Sequence, residues 1–141
     1  MTALLPALAG ANLIYGLGML ELGVTFSFGQ LMIDAEIARM VKRVVQGVEV
    51  NDATLGVDVI KAVGPGNDFL IQKHTMDFMK SEQSRAKVFD RRMRNNWELR
   101  GSKDASETAA EMAREILATH KPEPLETSVK NEIRRIVESA E

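Results

Sequence analysis

The first 33 residues of this chain carry one charged side chain, Glu21, whereas residues 34–141 hold all the others with their signs closely interleaved. So apolar a head is normally buried inside something. It could enter a membrane or a protein core. About 20 apolar residues suffice to span a bilayer, and residues 1–20 carry no charge. Pro6, Gly10, Asn12, Gly16 and Gly18 interrupt that run, however, and much of it is alanine. No Lys or Arg flanks either end to orient a span. A secretory leader would begin basic and finish at a small-residue cleavage site, and the basic start is absent. The expectation is a core segment, no membrane partner, and the cytoplasm as default compartment.

The overall composition excludes more than it selects. A chain of 141 residues suits one ordinary domain. Its 18 basic residues nearly balance 20 acidic ones, which gives no electrostatic reason to expect nucleic acid as a partner. The absence of cysteine removes disulfides, thiolate nucleophiles and cysteine metal sites. His74 and His120 lie far apart, which argues against a histidine metal site.

Taken in order, Thr2–Ala9 reads as a short buried helix stopped by Gly10. Asn12–Leu20 reads as a buried strand followed by a glycine-permitted turn. Apolar character without alternation suits a parallel strand covered on both faces, and Gly16 and Gly18 mark close backbone approach or a special backbone angle. Gly16 and Gly18 form a GxG, but no third glycine or helix start follows to make a nucleotide loop. Ser27-Phe28-Gly29-Gln30 has capping-box spacing. It opens a helix ending at Gly47. Ile33, Ile37, Met40, Val41, Val44, Val45 and Val48 fall on one face of it, and Glu36, Arg39, Lys42 and Arg43 largely on the other.

Asn51–Thr54 caps a second helix that carries Leu55, Val59, Ala62 and Val63 up to the stop at Gly64-Pro65-Gly66. Further helices are expected at about Thr75–Glu82, after Asp90 with Met93 against Trp97, and over Ser102–His120. The last starts at Thr127, taken as its cap, beyond an extended Lys121-Pro122-Glu123-Pro124 hinge. It places Val129, Ile133, Ile136, Val137 and Ala140 on one side. The class is mainly α with one or two short strands near the front. Residues 1–50 form an apolar unit and residues 51–141 a helical extension.

Three residues stand out as candidates for binding. Glu21, a lone carboxylate just past the expected strand end, could bind a cation, orient a partner or move a proton. The plainer alternative is a turn residue. Tyr15 could offer its ring to a methylammonium group or simply pack with its hydroxyl bonded locally. His74 could be a ligand, or a helix-capping histidine. Arg91, Arg92 and Arg94 have Asp90, Glu82 and Glu98 near them, so a solvated helix face is the simpler meaning. No catalytic triad, phosphate loop or HExxH is present, and no catalytic residue can be assigned. From spacing alone, no enzyme emerges.

Several segments nevertheless form a familiar set: PALAGANLIYGLGMLELGVTFSFGQLMIDAEIARMV (6–41), DVIKAVGPGNDFL (58–70), HT (74–75), FDRR (89–92), WxxxGSKD (97–104) and EILATHKPEPL (115–125). In this order they resemble the C-terminal part of the trimethylamine:corrinoid methyltransferase family. The resemblance implies a (β/α)8 TIM-type barrel of roughly three times this length. In it, Asn12–Gly18 would be the last strand, Gln30–Gly47 the last helix, and the rest a helical extension. A whole barrel needs about 250 residues, so this chain would hold only part of one.

The implied reaction moves a methyl group from trimethylamine or a quaternary amine such as glycine betaine to the cobalt of a separate corrinoid protein. No cofactor would be bound directly. Trimethylamine members carry pyrrolysine, at a position that would lie upstream of Thr2. The expected partners are the cognate corrinoid protein, the methylated amine and further copies of the chain. The isolated chain is expected to be catalytically silent. It should also self-associate or turn its head into helix, because an orphan strand leaves an unpaired edge. The alternative from another class is a stand-alone helical interaction module that binds a partner chain through the apolar head.

Overall fold

The computed structural model describes residues 1–140. In chain order their elements are α1 (Leu4–Leu8), β1 (Met19–Leu20), β2 (Thr25–Phe26), α2 (Phe28–Val45), α3 (Asp52–Leu55), α4 (Val57–Val63), α5 (Lys73–Phe78), α6 (Arg94–Glu98), α7 (Ala105–Thr119) and α8 (Thr127–Glu138). The mainly helical class is as expected, with a single antiparallel hairpin pairing Met19 with Phe26 and Leu20 with Thr25. No helix among the described residues is long and apolar enough to cross a membrane.

The longest helix, α2, is the spine. Ser27 lies in extended backbone and its Oγ accepts from the Gln30 amide at 3.2 Å, satisfying a free N–H of the first turn. The other half of the expected capping box does not form. The Gln30 side chain runs forward instead and donates to Asp34 Oδ1 at 2.8 Å. At the far end Lys42 and Arg43 sit where the helix dipole favours cations. Arg43 Nη1 also donates to the Gly47 carbonyl at 2.8 Å.

The main packing contact joins α2 to α7. It is made by small residues. Ala109 is fully buried and Ala113 nearly so, and a Cβ on Gly29 would come within 3.7 Å of the Ala110 backbone. An interface so lined lets two helices approach closely. α7 is held at its own start by a full capping box: Asp104 accepts from the Glu107 amide at 2.8 Å, and Glu107 accepts from the Asp104 amide at 3.0 Å. An element of the C-terminal extension therefore docks onto the helix of the N-terminal unit.

Several expectations are corrected. The buried strand expected at the start of Asn12–Leu20 does not form. Only Met19 and Leu20 pair, and they pair antiparallel, while Leu13 and Tyr15 are exposed. Gly16 and Gly18 take φ of +104° and +79°, which breaks the extended run, and no parallel neighbour offers a ladder among the described residues. The helix expected from Asn51 is split into α3 and α4 by Gly56, which sits in the left-handed region. The helix expected over Thr75–Glu82 runs earlier, as α5, and ends at Phe78. α8 begins at Thr127 itself, with Glu126 as an N-cap residue that makes no side-chain bond. All of its residues are exposed.

Candidate functional site

Glu21 sits at the tip of the hairpin. Glu21, Leu22 and Gly23 follow one another at φ of 49°, 57° and 91°. The left-handed region costs an L-residue about 1–2 kcal/mol, so two non-glycine residues in succession make a strained tip. Thr25 Oγ1 donates to Glu21 Oε2 at 2.7 Å, tying the two sides of the turn together. Leu22 points entirely into solvent. From below, Asp34 of α2 holds the hairpin: its Oδ2 accepts from the Gly18 amide at 2.8 Å. Gly18 is required here, because a Cβ would lie 2.7 Å from the Phe26 ring.

Tyr15 lies on the irregular segment before the hairpin and is 80% exposed, so its ring is free rather than packed. His74 lies elsewhere, on α5. Its Nε2 is 2.6 Å from the Ala53 carbonyl and its ring lies 4.6 Å from that of Phe78 at a tilt of 39°. It lines an open cleft of about 520 Å³ between the end of α2, the loop that follows it, α3 and α5. Neither Glu21 nor Tyr15 lines that cleft. The structure thus places Glu21 and Tyr15 on one segment and His74 in a separate site.

Reading the sequence missed Glu36. Expected on the polar face of α2, it is the one buried charged side chain among the described residues, at 1% exposure. Its carboxylate accepts from three successive amides, Lys87 at 2.8 Å, Val88 at 3.0 Å and Phe89 at 3.2 Å, and from Arg39 Nη2 at 3.1 Å. Burial is the largest single influence on its pKa and pushes it up. The three amides and the Arg39 charge together outweigh burial and hold it below the ordinary value. Val88, at 3% exposure, is inserted beside it. The sequence signal was present: Glu36 stands three residues after Ile33 and four before Met40, at the edge of the apolar stripe.

Two of the three clustered arginines, Arg92 and Arg94, are paired. Asp90 accepts from the Arg92 Nε and amide, both at 2.9 Å, and Arg94 Nε donates to Glu98 at 2.8 Å. The Arg92 side-chain hydrogen bonds, then its amide, hold Asp90 down to about 2. Among the described residues no group of three or more His, Asp or Glu could hold a metal ion.

Residues 1–140 match the family model described as trimethylamine methyltransferase (MTTB). The trimethylamine methyltransferase MttB of Desulfitobacterium hafniense (strain DSM 10664 / DCB-2) is 50% identical over 141 residues, covering 100% of this chain and 28% of its own. MttB1 of Methanosarcina mazei is 45% identical, with the same coverage. A glycine betaine methyltransferase of D. hafniense (strain Y51) is 29% identical over 130 residues, 92% of this chain and 27% of its own. The chain thus spans little more than a quarter of the length of these relatives and corresponds to the C-terminal part of the trimethylamine enzymes.

Proposed function

This chain belongs to the trimethylamine methyltransferase family, and from that premise we propose that it is the C-terminal portion of an enzyme that moves a methyl group from a methylated amine to a corrinoid protein. The higher identity to the trimethylamine enzymes than to the glycine betaine enzyme, 50% against 29%, supports trimethylamine as the donor. The cobalt is the methyl acceptor and arrives on a separate protein, as a substrate. The reading therefore asks no cobalt ligand of this chain.

Within that enzyme the segment acts as a covering and bracing unit, with α2 as its spine, and is silent alone. One observation carries this. The chain matches 28% of its relatives' length while Leu13, Leu22, Val48 and Ile71 stand at least 80% exposed. Apolar surface on that scale marks a face that packs against something else. The remaining chain of such an enzyme would supply the cover, and the barrel completed by it would hold the site. Glu21, on its strained tip, is this segment's nearest contribution to substrate binding.

The test is methyl transfer from trimethylamine to a purified corrinoid protein, followed by cobalt absorbance. A full-length enzyme containing this segment should transfer, the 141-residue chain alone should not, and a Glu21→Gln change in the full-length enzyme should weaken amine binding. Transfer by the isolated chain would refute the bracing role. The same exposed faces lead to self-association of the isolated chain, which a strict monomer in light scattering at high concentration would contradict.

A further inference from the structure

We propose that Asp34 and Thr25 are positioning residues for the Glu21 carboxylate. Asp34 fixes the base of the hairpin on α2, and Thr25 fixes one carboxylate oxygen at the tip, so that the other stands free for the ammonium group of the amine. The inference rests on the reading that Glu21 contributes to amine binding, and adds how that carboxylate is held in place.

Backbone held in a sparsely populated region persists only where its surroundings over-determine it. Glu21 at φ 49° and Leu22 at φ 57° are two such residues in succession. Strands of two residues give them little support, since an isolated hairpin is marginally stable at best. The stronger support comes from α2. Gly18, buried at the base of the hairpin, has both backbone polar groups taken there. Its N–H donates to Asp34 Oδ2 at 2.8 Å, and its carbonyl accepts at 2.8 Å from the N–H of Ser27, the N-cap residue. Asp34 is itself oriented by Gln30, whose Nε2 donates to Oδ1 at 2.8 Å. That is what the Gln30 side chain gains by leaving the N-cap. Gln30, Asp34 and Gly18 form one polar brace from the first turns of α2 to the foot of the hairpin.

At the tip the Thr25 hydroxyl donates to Glu21 Oε2 at 2.7 Å. Thr25 belongs to β2 and pairs with Leu20, so this bond ties the carboxylate to the far strand of the hairpin. Oε1 accepts no protein hydrogen bond among the described residues. A cation reaching the exposed tip meets Oε1 in a fixed place, and little ordering of the side chain is left for binding to do.

Substitutions at the two positions separate a positioning role from a merely structural one. An Asn carbonyl at position 34 can accept from the Gly18 N–H while the Gln30 amide turns to accept from the new amino group, so Asp34→Asn keeps the brace. Asp34→Ala removes it, and in the 141-residue chain should speed amide exchange at Gly18 roughly tenfold or more. In the full-length enzyme, methyl transfer from trimethylamine to a purified corrinoid protein gives KM and kcat. Asp34→Ala should raise KM for the amine about two- to fivefold, the range of an exposed charge contact, with kcat held within about twofold. Asp34→Asn should stay near wild type. Thr25→Val, at an exposed strand position that suits valine, should raise KM in the same way and carries the test if Asp34→Ala does not fold. Thr25→Ser should restore the wild-type value. Both residues act through Glu21, so neither change should raise KM further in a Glu21→Gln background. An equal rise in that background would overturn the positioning role. If Glu21→Gln raises KM while Asp34→Ala and Thr25→Val leave it unchanged, the positioning role alone falls. If Glu21→Gln leaves KM unchanged, the amine reading falls and the positioning role with it.

Discussion

Replacing Glu36 by glutamine should destabilise the chain more than any other isosteric change in α2. The carboxylate is 1% exposed, with Oε2 taking Lys87 N, Val88 N and Arg39 Nη2 and Oε1 taking Phe89 N. Glutamine has the same shape but only one acceptor oxygen. Set at the Oε2 position, that oxygen retains three partners, and the new amino group faces the Phe89 N–H, donor against donor. Hydrogen bonds to a charged acceptor contribute about 1.5–3 kcal/mol and neutral ones about 0.5–1.5, while a buried amide left unpaired costs about 1–3.

Recovered desolvation of the carboxylate offsets part of that loss. The net expectation is a loss of about 2–4 kcal/mol, against a typical total of roughly 5–15. Urea unfolding followed by circular dichroism measures it, with the slope unchanged between variants. Amide exchange locates it, since Lys87, Val88 and Phe89 should lose protection first. Acid adds a check of sign. The folded pKa of Glu36 is depressed, so its contribution is complete above the ordinary carboxylate value and fades as pH falls below about 4.5. Wild type and variant should converge there. A change under about 0.5 kcal/mol, with the three amides still protected, would refute the anchoring role.

Three further outcomes follow from the same geometry. Ala109→Leu puts a large side chain where α7 meets α2 with no exposed surface, and should cost about 1–3 kcal/mol by urea midpoint. Leu22→Asn removes a fully exposed leucine from φ 57° and should stabilise by roughly 1 kcal/mol, because asparagine tolerates that region; a loss would mean Leu22 is covered in solution. The stabilising contribution of Asp90, held down to about 2 mainly by the Arg92 side chain, should be complete above pH 4 and vanish as pH falls toward 2; unfolding midpoints of wild type and Asp90→Asn should differ at pH 7 and meet at the acid end.

What the sequence made legible was what local chemistry decides. Ser27, Asn51 and the stops at Gly47 and Gly64 mark their helices because caps and left-handed glycines act within one turn. Gly56 was harder to see, since a glycine inside a periodic run reads as tolerated until its φ is known. The buried strand expected ahead of the Gly16 and Gly18 turn failed for the opposite reason. A strand is a relation to a neighbour, and apolar character alone cannot supply the neighbour.

Glu36 shows the same limit in a polar residue. Its place beside the apolar stripe and its Arg39 partner are local, but its three amide partners lie more than 50 positions away, and backbone amides have no sequence signature. For the candidate site, the pattern singled out Glu21, Tyr15 and His74 by isolation and residue type. It could not show that His74 is seated apart from the hairpin, which depends on how α5 folds back toward the end of α2.

The long-range polar bonds of α2 share one logic. Asp34 reaches the amide of Gly18 in the hairpin, Glu36 the amides of the 87–89 strap, and Arg43 the carboxylate of Glu82. All four partner segments, α7 included, converge on one helix, although they are scattered through the sequence. Few apolar residues are fully buried in this assembly: Val63, Val88, Ala109 and Ala113. A fold held this way keeps its relative geometry through directional bonds and leaves its apolar faces turned outward. That division is what the proposed bracing role asks of this segment. It also explains why a single carboxylate, Glu36, is a more sensitive point than any one apolar contact.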